Sequence, residues 1–192
     1  MSDNRSSDVS DLPRPLADYL DASRVALAIA SADGDNPLLY VNPAFCALTG
    51  YRPDDVVGQN CRMLQRDADN AEAKARIHEF LSRDRQPNVR TTIINFRKDG
   101  TPFVNLLYMS RLSGAGRTMR YIFASQFDVS RSQPDKLADY DAELSATLGK
   151  LAPIAGDAGI ILEGTLMAIA NSAATIAQAK LTLADLEAVT HG

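Results

Sequence analysis

Cysteine is scarce in this chain: Cys46 and Cys61 are the only two among 192 residues. Two thiols do not build a disulfide framework, and a reducing compartment would keep both free, so the cytoplasm is the expected location. Long apolar runs are absent too. Nothing approaches the roughly 20 consecutive apolar residues that a membrane span needs, and Glu163 interrupts the best candidate. The polar, acidic start lacks an apolar leader segment, so no secretory signal is expected. Positive charge is in short supply where a nucleic-acid surface would want it. The net charge is −4; the residues from Pro134 onward carry −5, the first 20 carry −2, and the middle is left with +3. Phosphate neutralisation dominates nucleic-acid affinity, so this acidic tail argues against DNA binding. The tail also has no Gly-rich phosphate loop, no metal-ligand cluster and no histidine besides the terminal His191. Nothing in it marks an enzyme.

What is present is apolar material for a packed core, 45% of all residues, and length for one ordinary domain plus an extension. Met1–Asp11 is polar and expected to be mobile. Pro13 and Pro15 lead into a helical pattern over Leu16–Ala22, with Leu16, Tyr19 and Leu20 on one face. Val25–Ala30 reads as a central strand, Asp33–Pro37 as a turn, and Leu38–Asn42 as the second strand of a hairpin. Pro43 opens a helix that Asn42 caps and Gly50 ends. Cys46, inside it, reads as a small core residue. Asp54–Val57 is a brief helical turn, and Ala71–Arg83 a helix with Ile77, Phe80 and Leu81 at helical spacing.

Three strand-like runs follow: Val89–Arg97, Phe103–Leu112 and Arg120–Val129. Gly100 suits a three-residue hairpin loop. If Lys98 then pairs with Pro102, Asn95 lies opposite Asn105 and Ile93 opposite Leu107, so two carboxamides share one face. The element order gives an α+β fold: a five-stranded antiparallel sheet with helices over one face.

The stretch Gly58–Gln65, GQNCRMLQ, holds the chemistry. Asn60, Cys61, Arg62 and Gln65 place a thiol, a guanidinium and two carboxamides together, with Met63 and Leu64 between. A lone cysteine is more often a small buried hydrophobe, and reactivity needs a supporting environment. Here Arg62 could grip a phosphate by charge-assisted bidentate bonds. Asn95, Asn105 and Gln126 each carry a donor and an acceptor, matching a heteroaromatic edge that alternates the two functions. They could instead pair with one another.

Tyr40–Phe45 (YVNPAF), Leu48–Tyr51 (LTGY), GQNCRMLQ, Asn95–Gly100 (NFRKDG), Asn105 and Gln126 occur in an order that resembles the light-oxygen-voltage (LOV) branch of the PAS family, the flavin-binding blue-light receptors. The resemblance covers about Ser23 to Arg131. It implies a cap over residues 1–22, a LOV sensor domain over 23–131 and a helical extension over 132–192. It also implies FMN as the non-covalent chromophore, with FAD or riboflavin as lesser alternatives. Under blue light, Cys61 would bond reversibly to flavin carbon 4a while nitrogen 5 gains a proton. Gln126, facing that nitrogen, would turn and pass the signal outward. Asn60, Arg62, Leu64, Gln65, Arg76, Ile77, His78, Ile93, Asn95, Asn105, Leu107 and Gln126 would hold the flavin. LOV domains usually carry a second phosphate arginine just after an isoleucine on the following helix. Here Ile77 is followed by His78, and Arg76 precedes it, about 100° away around the helix. Met63 replaces the usual phenylalanine. The bond breaks thermally, so the implied role is photoreception and not enzymatic turnover. The alternative is a redox- or ligand-sensing PAS module.

In the tail, Leu137, Leu144 and Leu151 recur every seven residues beside Tyr140 and Leu148, and Pro153 is expected to end that helix. Gly156 and Gly159 form a joint, Ile160–Ala179 reads as a second helix, and Thr182 with Asp185 starts a third before Leu183, Leu186 and Val189. Such helices could cover the chain's own sheet or join a homodimer; a light-dependent homodimer with an unknown downstream partner is the expectation. A helix-turn-helix within Leu144–Leu166 is disfavoured by the charge.

Overall fold

Strand positions of opposite parity carry different side chains, and that alternation sets the architecture. The computed structural model describes residues 12–82, 86–114, 116, 118–131, 134–163, 179–180, 183–184 and 186–188. In chain order come α1 (Arg14–Asp21), β1 (Ala26–Ser31), β2 (Leu38–Val41), α2 (Pro43–Thr49), α3 (Pro53–Val56), a 3₁₀ turn (Cys61–Gln65), α4 (Ala71–Ser82), β3 (Asn88–Phe96), β4 (Pro102–Ser113), β5 (Met119–Asp128), α5 (Pro134–Asp157) and β6 (Ile161–Leu162). The sheet order is β2-β1-β5-β4-β3, with β6 also paired to β4. All pairings are antiparallel.

Local signals account for the front layer. Asn42 accepts the Phe45 N–H at 3.0 Å as the N-cap of α2, and Pro43 fills the first turn. Gly50 closes the helix at φ 76°, a conformation that favours glycine. Asn42 reaches further: its Oδ1 accepts the Leu27 N–H at 2.8 Å and its Nδ2 donates to the Val25 carbonyl at 2.8 Å, welding α2 to β1. Asn70 pins the start of α4 in a similar way, donating to the Ile94 carbonyl (2.9 Å) and accepting the Ile94 N–H (2.8 Å). Phe45, Val56 and Leu64 pack on Ala26 and Ala28, and Phe80 of α4 on Val89 and Ile122.

The reverse face is covered by α1 and α5. Leu16 and Leu20 from α1, and Tyr140, Leu144, Leu148, Leu151 and Ala155 from α5, join Leu27, Ile29, Val104, Leu106, Tyr108, Leu112 and Phe123 in the largest apolar cluster. Leu183 is buried in the same cluster. The sheet therefore has helices on both faces, and the apolar stripe of α5 folds back on its own chain.

Three expectations need correction. The β3–β4 loop is three residues long, but it is Lys98-Asp99-Gly100: Arg97 N–H donates to the Thr101 carbonyl at 2.9 Å, and Phe96 pairs with Pro102. Gly100 (φ 92°) takes the last loop position, where the left-handed residue of such a loop belongs. Asn95 is thus opposite Phe103, Ile93 opposite Asn105, and Leu107 opposite Thr91. The slip is an even number of residues, so Asn95 and Asn105 still share a face as diagonal neighbours. Pro153 does not end α5, which runs on to Asp157; the proline is exposed while Leu151 and Ala155 on either side are fully buried, and their packing holds the last turn. Ile161–Leu162 is not the start of a helix but a strand, because β3 ends short and leaves Leu112 and Ser113 of β4 free to pair with it. Ser110 Oγ donates to the Glu163 carbonyl (2.6 Å) and Ser113 Oγ to its carboxylate, fixing the segment. With α5 continuous and β6 a strand, no helix-turn-helix forms over residues 144–163. Residues 164–178, Thr182, Asp185 and Val189 lie outside the described residues, as does Met1–Asp11. Among the described residues, no helix is long and apolar enough to cross a membrane.

Candidate functional site

The front face of the sheet is where the packing stops. Ala28 stands opposite Ala124, Ala30 opposite Ile122 and Ala26 opposite Gln126. Methyl groups at the centre of a sheet cannot fill the roughly 10 Å that separates packed layers. The result is a pocket of about 100 Å³ between the sheet, the 3₁₀ turn and α4.

Of the residues expected from sequence, Asn60, Cys61, Arg62, Gln65, Ile77, Ile93, Asn95, Asn105, Leu107 and Gln126 all line this pocket. Three do not. Leu64 is buried in the packing between α2, α3 and the sheet. His78 is exposed on α4. Arg76 is exposed and paired with Glu72 one turn back at 2.7 Å. The pocket also uses Ala28, Ala30, Asn36, Leu38, Leu81, Met109, Ile122 and Ala124. The readable signal for several of these was alanine at every second position of Ala26–Ala30, with large residues at the alternate positions.

Three carboxamides form a chain across β3, β4 and β5. Asn105 Nδ2 donates to Asn95 Oδ1 at 2.9 Å and to Gln126 Oε1 at 3.3 Å, and Asn105 Oδ1 accepts the Phe127 N–H at 3.2 Å. All three are buried; Asn105 is 1% exposed and Gln126 2%. The chain ends open, because Gln126 Nε2 is buried with no partner. An orphaned donor of this kind costs about 1–3 kcal/mol, and a heterocyclic nitrogen or carbonyl seated in the pocket would satisfy it. Apolar walls, a floor of alanines and a donor at one edge fit a flat heteroaromatic ring such as a flavin.

Cys61 opens the 3₁₀ turn at the pocket wall, half-buried, and desolvation pushes its thiol up to about 12. It is a protonated thiol at neutral pH. Cys46, on α2, is half-buried against the apolar packing of the front layer and has no place in the pocket.

At the mouth, Asn60 caps the 3₁₀ turn by accepting the Arg62 N–H at 2.9 Å and donates through Nδ2 to the Asp35 carbonyl. Both ends of its amide are therefore in use within the protein. Arg62 makes a bidentate pair with Asp35, Nη1 to Oδ1 at 2.7 Å and Nη2 to Oδ2. Its hydrogen bond holds the Asp35 carboxyl below its ordinary value. Both side chains are well exposed, 61% and 66%. Sequence reading missed Asp35, since nothing local links a turn residue to a guanidinium 27 positions on.

Comparisons with known proteins agree with this geometry. The PAS domain model matches residues 25–131, more than half the chain. The chain is 36% identical over 109 residues to blue-light-activated histidine kinase 1 of Erythrobacter litoralis and 36% identical over 126 residues to histidine kinase 2 of that organism. These matches take in 56% and 64% of this chain but span only 30% and 36% of the kinases. Among solved structures, the Rhodobacter sphaeroides LOV protein is 28% identical with a TM-score of 0.67, each chain covered to 90%. The LOV domain of the Erythrobacter litoralis EL346 kinase is 38% identical at a TM-score of 0.50, covering 55% of this chain and 95% of that one. Fold, pocket and matches converge: the chain belongs to the PAS family, in its LOV branch.

Proposed function

We propose that this chain binds FMN non-covalently in the pocket and responds to blue light through a reversible bond to Cys61. The observation that carries the reading is the unpartnered Gln126 Nε2, buried at the end of a carboxamide chain in the pocket that Cys61 lines. A bound flavin would supply the absorption and the electrophilic ring carbon, and Cys61 would supply both the sulfur and the hydrogen of a reversible addition, so that no outside oxidant or reductant would be needed. The protein's part is to keep the thiol protonated, satisfy the ring edge with Asn95, Asn105 and Gln126, and exclude bulk water. FMN is favoured over riboflavin by Arg62: pairing with Asp35 uses two of its five N–H donors and leaves three for a phosphate. With His78 and Arg76 turned to solvent, Arg62 carries that contact among the described pocket residues.

The chain works as a receptor and not as an enzyme, since the bond breaks thermally and returns both partners. Residues 23–131 sense, and 132–192 report. Phe127, next to Gln126, stacks on Tyr140 of α5 with ring centroids 4.3 Å apart and planes 10° apart, which ties the sensor strand to the reporter helix. The output is a homodimer contact in the terminal segments that light alters. The stripe of α5 already packs on its own sheet, so exposed Ile161 (54%) is the large apolar anchor available among the described residues. Two unpaired cysteines suit the cytoplasm.

Purified protein should be yellow, bleach in blue light and recover in the dark. Cys61→Ala should keep the colour and lose the bleaching; full bleaching and recovery in that variant would remove Cys61 from the mechanism. A colourless protein that refuses added FMN would exclude the photoreceptor reading, and size-exclusion chromatography in dark and light tests the dimer.

A further inference from the structure

The mouth of the pocket holds two opposite charges where a phosphate binder would want one. We propose that Asp35 is a specificity-determining residue: its carboxylate, held beside Arg62, limits what a flavin phosphate gains there, so that the pocket prefers FMN to riboflavin only modestly. The proposal rests on the flavin reading above and concerns the choice among flavins.

Arg62 is the one charged side chain among the described residues that line the pocket. Asp35 meets its guanidinium fork oxygen for nitrogen. Arg62 does not place Asp35 by itself. The Asp35 carbonyl accepts from Asn60 Nδ2. Next to it, Asn36 sits at φ 51°, a left-handed conformation that asparagine tolerates. Its Nδ2 donates back to the Ser31 and Ala32 carbonyls at 3.1 and 3.2 Å. Leu38 N–H then donates to the Gln59 carbonyl at 2.9 Å, tying the end of the turn to the segment that carries Arg62. The turn's own bonds therefore hold the carboxylate against the guanidinium.

A phosphate that takes the three remaining N–H groups of Arg62 shares that cation with Asp35. Cation and carboxylate cancel, while a phosphomonoester carries about −1.5 to −2 at pH 7. The phosphate keeps its directional hydrogen bonds but loses most of the attraction between charges. Asp33, two positions back in the same turn, adds a further negative charge. FMN and riboflavin share the ring and the ribityl chain, so the ratio of their affinities reads the phosphate contact alone.

The test is a dark titration of the flavin-free full chain with FMN and, separately, with riboflavin, followed by flavin fluorescence at low ionic strength. Wild-type protein should favour FMN by less than about tenfold. Asp35→Asn loses the charge and keeps the main-chain tie to Asn60; an exposed pair adds little to stability, so the fold should survive. Its FMN affinity should rise roughly three- to tenfold while riboflavin stays within about twofold. Arg62→Gln leaves Asp35 unopposed and should invert the preference, so that riboflavin binds more tightly. The double variant should bring the ratio back to about one, and about 0.5 M salt should shrink all these differences. A wild-type preference well above tenfold, an unchanged ratio in Asp35→Asn, or a parallel change for both flavins would overturn the proposal and leave the flavin reading standing. Wild-type protein that binds neither flavin would remove the flavin reading and the proposal with it.

Discussion

The two faces of the central sheet follow opposite rules. On the reverse face, Leu27, Ile29, Leu106, Tyr108 and Phe123 meet α1 and α5 in a continuous apolar cluster, and Ser125 shares a 2.7 Å hydrogen bond with Tyr140. On the front face, the same strands present Ala28, Ala30, Ala124, Asn95, Asn105 and Gln126, and a pocket remains. Successive residues of β5 alternate between the two, Phe123 to one side and Ala124 to the other. The stability of the domain resides in the face that looks inert, while the front face holds its polar groups in an arrangement only a ligand completes. Such a division lets the site change its hydrogen bonding without unseating the core.

The largest effect should come from exchanging these rules at neighbouring positions. Phe123→Ala removes a fully buried ring and should cost about 3–5 kcal/mol, read by urea denaturation. Ala124→Leu adds methylenes on the pocket side, where there is room, and should change flavin-free stability by less than about 1.5 kcal/mol while abolishing flavin uptake. Equal losses at the two positions would mean that the pocket face is as tightly packed as the reverse.

A smaller effect separates the polar features of the faces. Gln126→Leu removes the orphaned donor together with the oxygen that accepts from Asn105, so the flavin-free protein should change by less than about 1 kcal/mol as its affinity for flavin falls. On the reverse side, Tyr140→Phe keeps the stacking on Phe127 and the Arg90 guanidinium 5.8 Å over the ring. It loses only the bond to Ser125, and should cost about 1 kcal/mol. The effects differ because Gln126→Leu exchanges one orphaned donor for another, on Asn105, whereas Tyr140→Phe only loses a bond.

Local chemistry made the frame of this molecule legible in its sequence. Asn42, Pro43 and Gly50 bound α2 as their conformational preferences require, and the strands followed from β-branched and aromatic runs. Ten of the expected residues line one pocket, and the five on strands share its face because strand parity survives an even slip in register. What escaped were pairings across the chain. Asp35 meets Arg62, β6 finds the vacant end of β4, and Asn70 holds Ile94; each depends on where a distant backbone happens to pass. Pro153 misled for the related reason that burial of its neighbours outweighed its local preference.

The smallest expected effect is a flat line, and it concerns the thiol between the two layers. Burial raises Cys61 from its ordinary 9.0 to about 12, so the folded protein keeps the proton that the unfolded chain would release. That contribution to stability is complete below about pH 9 and is lost as the pH climbs towards 12. Between about pH 6 and pH 9 the thiol stays protonated, and the rate of bleaching in blue light should not vary with pH. A reactive thiolate would instead make the rate climb roughly tenfold per pH unit over that range, in step with its population. Such a climb, measured by flash photolysis, would place Cys61 in a polar, wetted setting and remove the contrast between a dry reacting group and the exposed Arg62–Asp35 pair at the mouth.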